Sequence, residues 1–150
     1  MEQFKKILVG VDLDHQGFES TISQAAGIAA CAGAEVEVAY VCPDYVSNAF
    51  LEAYLDQSVL EQAASSYQER LNELCQKVMP ANVPWRIELG RRKGHNAYQY
   101  LTSRAKEENF DLIIIGEHDR HGFDHIWLGS NAEKVVRYAP CTVMVIKHKT

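Results

Sequence analysis

The sequence predicts an α/β fold, a doubly wound and mostly parallel sheet of five strands with four helices, and two observations lead to it. Short apolar runs alternate along the chain with longer segments whose apolar residues recur at helical spacing. Strands that alternate with helices are joined by right-handed crossovers, which make the sheet largely parallel. The chain also has 150 residues, the usual size of one domain, and no linker, repeat or low-complexity segment divides it. We therefore expect residues 1–150 to form a single domain.

The first half of the chain supplies two strands and two helices. Lys6–Val11 (KILVGV) is a nearly continuous apolar run, as is typical of a strand buried on both faces. Apolar residues then recur at helical spacing over Phe18–Ala32, and Gly33 provides a stop. Glu35–Val41 (EVEVAYV) alternates with period two and is the second strand. Helical spacing returns over Leu51–Val78, where a proline closes the run.

The second half adds three strands and two helices. Val83–Leu89 (VPWRIEL) alternates and predicts a third strand, and Asn96–Lys106 has the spacing of a helix. Asp111–Ile115 (DLIII) is the most strand-like run of the chain. A short helix over Asn131–Tyr138 and a last strand over Thr142–Lys147 complete the pattern. In open parallel sheets ligands bind at the carboxyl ends of the strands, so the loops after strands one, two and four are the candidate site.

Composition excludes several classes of function. Fifteen Lys and Arg against twenty Asp and Glu give a formal charge of −5, which argues against nucleic-acid binding through phosphate neutralisation. No apolar stretch reaches the ~20 residues that a membrane helix needs. The four cysteines lie far apart without metal-site or C-x-x-C spacing, as expected of reduced thiols. We expect a cytoplasmic protein with neither a nucleic acid nor a membrane as partner.

Acidic residues follow the first strand. Asp12 stands where a buried strand meets the expected crevice, and its carboxylate can accept a hydrogen bond from an amine or hydroxyl of a ligand. Asp14 is a second, less favoured candidate. The alternative for either residue is a cap on the turn or on the helix that follows. Position favours the binding role for Asp12.

A glycine-containing segment follows the fourth strand. It runs from Gly116 to Gly122, and Gly129, Ser130 and Asn131 then open the fourth helix. Glycines let a phosphate approach the backbone closely, and the amides at a helix N-terminus are unsatisfied donors for an anion. The alternative is a turn glycine followed by a serine N-cap. Spacing alone leaves both interpretations open.

The same segment carries three histidines. His118, His121 and His125 are interleaved with three carboxylates, and imidazoles and carboxylates together can bind a transition metal. The spacing H-x2-H-x3-H matches no strong metal signature. Solvated loop histidines are therefore the favoured interpretation, and a metal site at these residues is the alternative.

The most specific motif lies in the last quarter of the chain. Residues 111–146 (DLIIIGEHDRHGFDHIWLGSNAEKVVRYAPCTVMVI) contain a strand, the stretch LGSxAExVxRxAPCxVxV and a final strand. This block resembles the C-terminal signature of universal stress proteins, which includes the pattern G-x2-G-x9-G-[ST]. Lys5–Asp14 (KKILVGVDLD) resembles the first strand of that family with its acidic end. The resemblance covers essentially the whole chain in the order of its elements.

The resemblance implies a Rossmann-like sheet that binds ATP in many members, a regulatory role in the stress response, and a homodimer paired through the last strand. It further implies that Asp12 and Val41 lie at the adenine, that Gly116 lies near the ribose and phosphates, and that Gly129 and Ser130 hold phosphates. Other residues of the same segments complete the predicted binding set, which is Asp12, Val41, Gly116, His118, Gly122, Gly129, Ser130 and Asn131.

One departure from the family pattern bears on function. Asp119 replaces the second signature glycine and Glu117 stands nearby, so two carboxylates occupy a loop that would approach a triphosphate. At about 4 Å and an effective dielectric near 20, one contact between like charges costs on the order of 4 kcal/mol before screening. A bound Mg²⁺ or Mn²⁺ would reverse the sign of that interaction, and a carboxylate that faces outward would avoid it.

Two main hypotheses follow. The first is an ATP-binding regulatory protein whose occupancy changes the surface offered to a still unidentified protein partner. The second is a dimeric interaction module of the same family whose phosphate site Asp119 and Glu117 block. The Walker lysine loop, the G-x-S-x-G elbow and the G-x-G-x-x-G fingerprint are all missing from the sequence, so we expect no catalytic residues beyond a slow hydrolysis of ATP. A small metal-dependent hydrolase using the histidines is a third, minor alternative.

Overall fold

The computed structural model describes residues 3–12, 17–41, 57–90, 97–117 and 129–147. Within these ranges it contains the expected α/β architecture, so the predicted fold class is confirmed. The strands are β1 (Lys6–Val11), β2 (Glu35–Val41), β3 (Trp85–Gly90), β4 (Leu112–Gly116) and β5 (Thr142–Ile146). The helices are α1 (Phe18–Ala32), α2 (Gln57–Val78), α3 (Ala97–Glu107) and α4 (Ser130–Tyr138). As predicted, α1 ends at Gly33, whose φ of 68° is left-handed.

Two strands begin later than the alternation of the sequence predicts. The predicted start of β3 at Val83 is wrong, because the Val83 amide donates to the Pro80 carbonyl in a turn. The register with β2 begins at Trp85; Pro84 has no amide to donate, and its carbonyl accepts from the Val36 amide at 2.9 Å. The predicted start of β4 at Asp111 is also early by one residue. There the carboxylate accepts hydrogen bonds from the backbone amides of Lys5 (2.9 Å) and Lys6 (3.2 Å), which ties β4 to the beginning of β1.

The remaining element ends differ little from expectation. The last strand ends at Ile146, one residue before the predicted Lys147, and α3 continues through Glu107. The last helix begins at Ser130, one residue earlier than predicted. The predicted beginnings of the second helix (51–56) and third helix (96) lie outside the described residues.

The five strands are parallel and lie in the order β3-β2-β1-β4-β5. The chain adds β2 and β3 on one side of β1, then returns to place β4 and β5 on the other side. The direction of winding therefore reverses between β1 and β4. In such sheets the crevice for a ligand opens at this reversal, outside the carboxyl ends of the two strands.

Helices cover both faces of the sheet, and the two faces differ in chemistry. The face under α1 and α2, here called the α1/α2 face, buries mainly apolar side chains and, within the described residues, no charged one. Its buried strand residues are Ile7, Val9, Val36, Val38, Tyr40, Leu112, Ile114 and Ile146. The opposite face, here called the α3/α4 face, buries the carboxylate of Glu37 as well as apolar side chains.

Two glycines let α3 lie close to the sheet on the α3/α4 face. A Cβ atom at Gly10 of β1 would lie 2.7 Å from Cδ1 of Leu101. A Cβ atom at Gly90 of β3 would lie 2.8 Å from the ring of Tyr100. Larger residues at either position would push α3 away, because close-packed interiors have no room for an added methyl group.

Candidate functional site

Three of the predicted binding residues lie along one edge of the sheet. Asp12 follows β1 directly, Val41 is the last residue of β2, and Gly116 is the last residue of β4. The register pairs Val11 with Tyr40 and Gly10 with Ile115, so these strand ends are neighbours. Adjacent strands lie about 4.8 Å apart. The structure therefore brings the three positions together at the reversal between β1 and β4, with Asp12 half-buried.

The backbone after Gly116 does not present its first amide to a ligand. Gly116 pairs with Ile146 of β5, and the amide of Glu117 donates to the Ile146 carbonyl at 2.9 Å. An anion at this edge therefore cannot use the Glu117 amide while that bond is intact. Among the described glycines only Gly17 and Gly33 have a positive φ, so Gly116 is not required for a left-handed backbone.

The beginning of α4 offers donors at the same edge. Helix α4 connects β4 to the parallel strand β5, so it starts at the carboxyl ends of the strands and runs back beneath them. Gly129 is the N-cap, with φ −54° and ψ 151°, and within the described residues no side chain caps the helix. The expected alternative of a serine cap is thus not found, because Ser130 is the first helical residue. Ser130 and Asn131 are exposed.

The first turn of α4 is suited to an anion, with one opposing charge. The first backbone amides of a helix have no partner within it and carry the positive end of the helix dipole. The Gly129 carbonyl accepts from the Glu133 amide at 2.9 Å, which begins the helical ladder. The Glu133 carboxylate lies 3.4 Å from an Arg137 guanidinium nitrogen, and both side chains are exposed. Exposure and this pairing weaken the repulsion that Glu133 would exert on a bound anion.

Six of the residues singled out from the sequence lie outside the described residues. His118 and Gly122 of the binding set, His121 and His125 of the alternative metal set, and Asp119 fall between residues 117 and 129. Asp14, the second acidic candidate, falls between residues 12 and 17. Their predicted roles stay predictions. In the part of the chain that the structure describes, no group of three or more His, Cys, Asp or Glu side chains could hold a metal ion. Nor does that part contain a helix long and apolar enough to cross a membrane.

The structure reveals a charged cluster that the sequence interpretation missed. Glu37 on β2 has 1% of its side chain exposed and pairs with Arg86 of β3 and Arg104 of α3. Its carboxylate accepts from Nε of Arg86 at 2.5 Å, from Nη2 of Arg104 at 3.0 Å and from Nε of Arg104. Burial raises the pKa of Glu37, but the hydrogen bonds from the two guanidinium groups outweigh burial and leave that pKa below its usual value. The carboxylate is therefore ionised at neutral pH.

Tyr100 lies beside this cluster on α3. Its ring covers Gly90, the register partner of Val41. Burial raises the pKa of Tyr100 to about 12, and the carboxylates of Glu88 and Glu37 add to the increase although Arg104 opposes it. The phenol therefore stays protonated at physiological pH and can donate a hydrogen bond.

Comparisons with known proteins agree on one family. A model of the universal stress protein family matches residues 3–147. Universal stress protein A homolog 2 of Coxiella burnetii is 26% identical over 156 residues, an alignment that covers 99% of both chains. A putative universal stress protein of Staphylococcus aureus strain USA300 is 29% identical over 150 residues, covering 98% of this chain and 86% of the relative.

Solved structures share the fold at lower sequence identity. Hypothetical protein MJ0577 superposes with a TM-score of 0.80 at 18% identity, covering 99% of both chains. The universal stress protein from Archaeoglobus fulgidus in complex with dAMP gives 0.68 at 21% identity, covering 97% of this chain and 100% of the other. A universal stress protein in complex with cAMP gives 0.64 at 17% identity, covering 97% and 98%.

Proposed function

The chain belongs to the universal stress protein family, and we propose that it binds an adenine nucleotide, with ATP as the main candidate, and acts as a regulatory protein of the stress response. The observation that carries the proposal is the meeting of Asp12, Val41 and Gly116 at the strand reversal. At the same edge begins α4, whose first turn has no side-chain cap among the described residues. Two proteins of the same fold have been solved with adenine mononucleotides, dAMP and cAMP.

The base would lie at the ends of β1 and β2. Asp12 offers a carboxylate that can accept a hydrogen bond from the exocyclic amine of adenine, and Val41 offers apolar contact. Guanine carries a carbonyl oxygen where adenine carries that amine, so a carboxylate facing that position would favour adenine. The half-burial of Asp12 strengthens such a bond relative to one in open water.

The phosphates would lie toward α4 rather than over β4. The amide of Glu117 already donates to Ile146, whereas the first turn of α4 has no side-chain cap among the described residues. Gly129, Ser130 and Asn131 would supply amides, a hydroxyl and a side-chain amide. His118 and Gly122, from the preceding segment, belong to the same proposed set. A Mg²⁺ or Mn²⁺ ion bound with the nucleotide would offset the charges of Glu117 and Asp119.

We propose no robust catalysis at this site. Binding would instead alter the surface presented to a protein partner, and only a slow hydrolysis of ATP is compatible with the residues assigned. The proposed compartment is the cytoplasm, in keeping with the widely spaced cysteines.

Dimerisation through β5 is part of the proposal. Strand β5 lies at one end of the sheet order, and soluble proteins seldom leave an apolar edge strand unpaired. Helix α4, which leads into β5, carries the large apolar side chains that are most exposed among the described residues, Val136 at 48% and Tyr138 at 58%. A second copy pairing along β5 would cover part of this surface. Sedimentation as a monomer at micromolar concentration would contradict this proposal.

A second candidate function is a dimeric interaction module that binds no nucleotide. The hydrogen bond from the Glu117 amide to Ile146 favours it, because this bond removes one donor from the proposed anion site. The carboxylates of Glu117 and Asp119 would then block the remaining space. In that case Asp119→Gly should create affinity for ATP in a protein whose parent has none.

Heat denaturation with added nucleotide tests the first candidate. We expect Mg-ATP and AMP to raise the melting temperature, since a ligand at about 100 times its Kd adds roughly 2.7 kcal/mol to the free energy of unfolding. The increase should be smaller with Mg-GTP and smaller again in Asp12→Asn. Glu107→Gln, an exposed carboxylate near the end of α3, is the matched control and should respond like the parent. Unchanged melting at millimolar ATP, with and without Mg²⁺, would reject nucleotide binding.

A further inference from the structure

The buried charge of Glu37 belongs to a row of side chains that crosses the α3/α4 face. Register pairs Arg86 with Glu37, Glu37 with Leu8, Leu8 with Ile113, and Ile113 with Val143. The row is therefore charged over β3 and β2 and apolar over β1, β4 and β5. Helix α3 supplies the third charged group, Arg104, directly above Glu37.

Stability alone does not explain this cluster. A buried ion pair recovers in Coulomb attraction about what it loses in desolvation, and apolar side chains of similar volume are often as stable. The neighbouring positions Leu8 and Ile113 show that the same row accepts apolar residues, since both are fully buried. What the ion pair adds is direction, because hydrogen bonds to a planar guanidinium fix an angle as well as a distance.

That direction matters because α3 meets three strands with one face. Leu101 lies against Gly10 of β1, and Tyr100 lies against Gly90 of β3. Arg104, one turn further along the helix, reaches Glu37 of β2. The two contacts at glycines are apolar and have no preferred direction, so they specify the position of α3 less sharply than hydrogen bonds do. The ion pair is the directional contact among the three, and it opposes translation of α3 along the strands.

Both glycines adjoin residues assigned to the base. Gly10 precedes Asp12 by two positions on β1, and Gly90 is the register partner of Val41. A displacement of α3 would move Leu101 and Tyr100 relative to the strand ends that carry Asp12 and Val41. The position of α3 is thereby linked to the shape of the base side of the site.

We propose that Glu37 and Arg104 are positioning residues of the nucleotide site: their ion pair sets where α3 lies along the sheet, and so holds Tyr100 and Leu101 over the strand ends that receive the base. The inference rests on the proposed function. It assigns neither residue a contact with the nucleotide. Arg86, half-exposed on β3, completes the charge balance around the carboxylate.

An apolar replacement of the cluster separates position from stability. In the variant Glu37→Leu with Arg86→Leu and Arg104→Leu we expect a melting temperature equal to or above that of the parent. We expect Kd values for adenosine and for Mg-ATP, measured by calorimetry well below the melting temperature, to rise by the same factor of about ten. Equal factors are expected because the displaced contacts lie on the base side. Glu108→Leu is the control. It removes an ion pair with Lys6 just beyond the end of α3 and should leave the Kd values for adenosine and for Mg-ATP unchanged.

Wild-type affinity in the apolar variant would overturn the inference, and so would a Kd that rises for Mg-ATP but not for adenosine. If the apolar variant does not fold, Arg104→Lys replaces it in the experiment, because lysine keeps the positive charge but lacks the planar guanidinium group. Its Kd for adenosine should still rise measurably, by about threefold. An unchanged Kd in that variant would be equally decisive against positioning.

Amide hydrogen exchange distinguishes failure of this inference from failure of the proposed function. If the parent binds no adenine nucleotide, the proposed function fails, yet the positioning role makes a prediction without ligand. Amides of α3 and of the carboxyl ends of β1 and β2 should exchange about tenfold faster in the apolar variant, while amides of α1 keep their parental rates. Equal exchange of α3 in both proteins would overturn the positioning role whatever the result with nucleotides.

Discussion

The α3/α4 face has two halves, one over β4 and β5 and one over β2 and β3, which share the same strand geometry but differ in chemistry and role. Over β4 and β5 the face presents Ile113 and Val143, together with their neighbours, and is apolar. Over β2 and β3 it presents Glu37 and Arg86, and α3 approaches the sheet closely at Gly90 of β3 and at Gly10 of the adjacent strand β1. The apolar half lowers the free energy of the fold without regard to the direction of approach. The charged half adds little net stability and specifies where one helix lies.

The charged and apolar halves of the α3/α4 face correspond to the two sides of the candidate site. The base side of the site is assigned to the ends of β1 and β2, next to the charged half. The phosphate side is assigned to α4, which packs over the apolar half through Ala132 and Val135. Precise placement is thus concentrated beside the part of the site that would discriminate one base from another.

The largest expected effect comes from the apolar half. Ile113→Ala removes a fully buried side chain and should lower the free energy of unfolding by about 4 kcal/mol. Affinity for adenosine, measured well below the melting temperature, should not change. Urea denaturation and calorimetry give the two values. Val143→Ala is the matched control in the same row, and its half-buried side chain should cost only about 1 kcal/mol. A loss of affinity in proportion to the loss of stability would show that the two halves are not separable.

The next largest effect is expected in the charged half, from a substitution that replaces one carboxylate oxygen of Glu37 by an amide nitrogen. Glu37→Gln should destabilise the protein at pH 7 by roughly 3 kcal/mol, because it removes charge-assisted hydrogen bonds to a buried carboxylate and leaves the partly buried Arg104 facing a neutral amide. The apolar replacement of the whole cluster should not. A single substitution that costs less than the triple apolar replacement would contradict the description of Glu37 as the centre of a buried pair.

The same residue predicts a dependence on pH. The folded pKa of Glu37 is depressed because its hydrogen bonds to Arg104 and Arg86 exceed the effect of burial, so its stabilising contribution is present above the unfolded value near 4.5. It should be lost as the pH falls through the folded pKa. The stability difference between the parent and Glu37→Gln, followed by urea denaturation from pH 7 to pH 3, should therefore shrink below about pH 4.5. A difference that stays constant over this range would show that folding does not lower the pKa of Glu37.

A smaller effect is expected where α3 approaches β1. Gly10→Ala places a methyl group 2.7 Å from Cδ1 of Leu101 and 3.2 Å from Cγ2 of Ile115, and should cost about 2 kcal/mol by overpacking. Combining it with Leu101→Ala should recover part of that cost, with a coupling energy of about 1 kcal/mol in a double-mutant cycle. Gly27→Ala is the control, because a Cβ atom there meets nothing within 4 Å. Additive costs at positions 10 and 101 would mean that the two residues do not press on each other.

The sequence predicted the helices and strands well because the spacing of apolar residues indicates which side chains are buried. That pattern does not depend on the order of the strands in the sheet. It could not predict that Val83 lies in a turn, since its side chain is buried in a turn as it would be in a strand. The alternation of EVEVAYV was correctly interpreted as a strand, yet the partners of Glu37 were missed. The available signal was that a carboxylate on an inner strand covered by helices must find a cation.

The candidate site was predictable to the extent that parallel topology decides it. Asp12, Val41 and Gly116 reach one edge in any parallel sheet, so their meeting required no knowledge of side-chain packing. The hydrogen bond from the Glu117 amide to Ile146 was not predictable, because it depends on β5 lying beside β4. The start of α4 was predicted one residue late for a different reason, because glycine and serine both serve as N-caps and either Gly129 or Ser130 fits that position.

The smallest expected effect comes from an exposed ion pair, and it tests whether burial is the reason that Glu37 matters for stability. Arg137 and Glu133 form an ion pair on α4 at 3.4 Å, four residues apart, with 66% and 60% of their side chains exposed. Solvent screens such a pair, so Arg137→Ala should change the free energy of unfolding by no more than about 0.5 kcal/mol. Urea denaturation in 0.05 M and 0.5 M salt should show the small difference vanish with salt, while the cost of Glu37→Gln persists. If both costs fell together with salt, Glu37 would have to be regarded as a solvated charge, and the contrast between the two halves of the face would lose its physical basis.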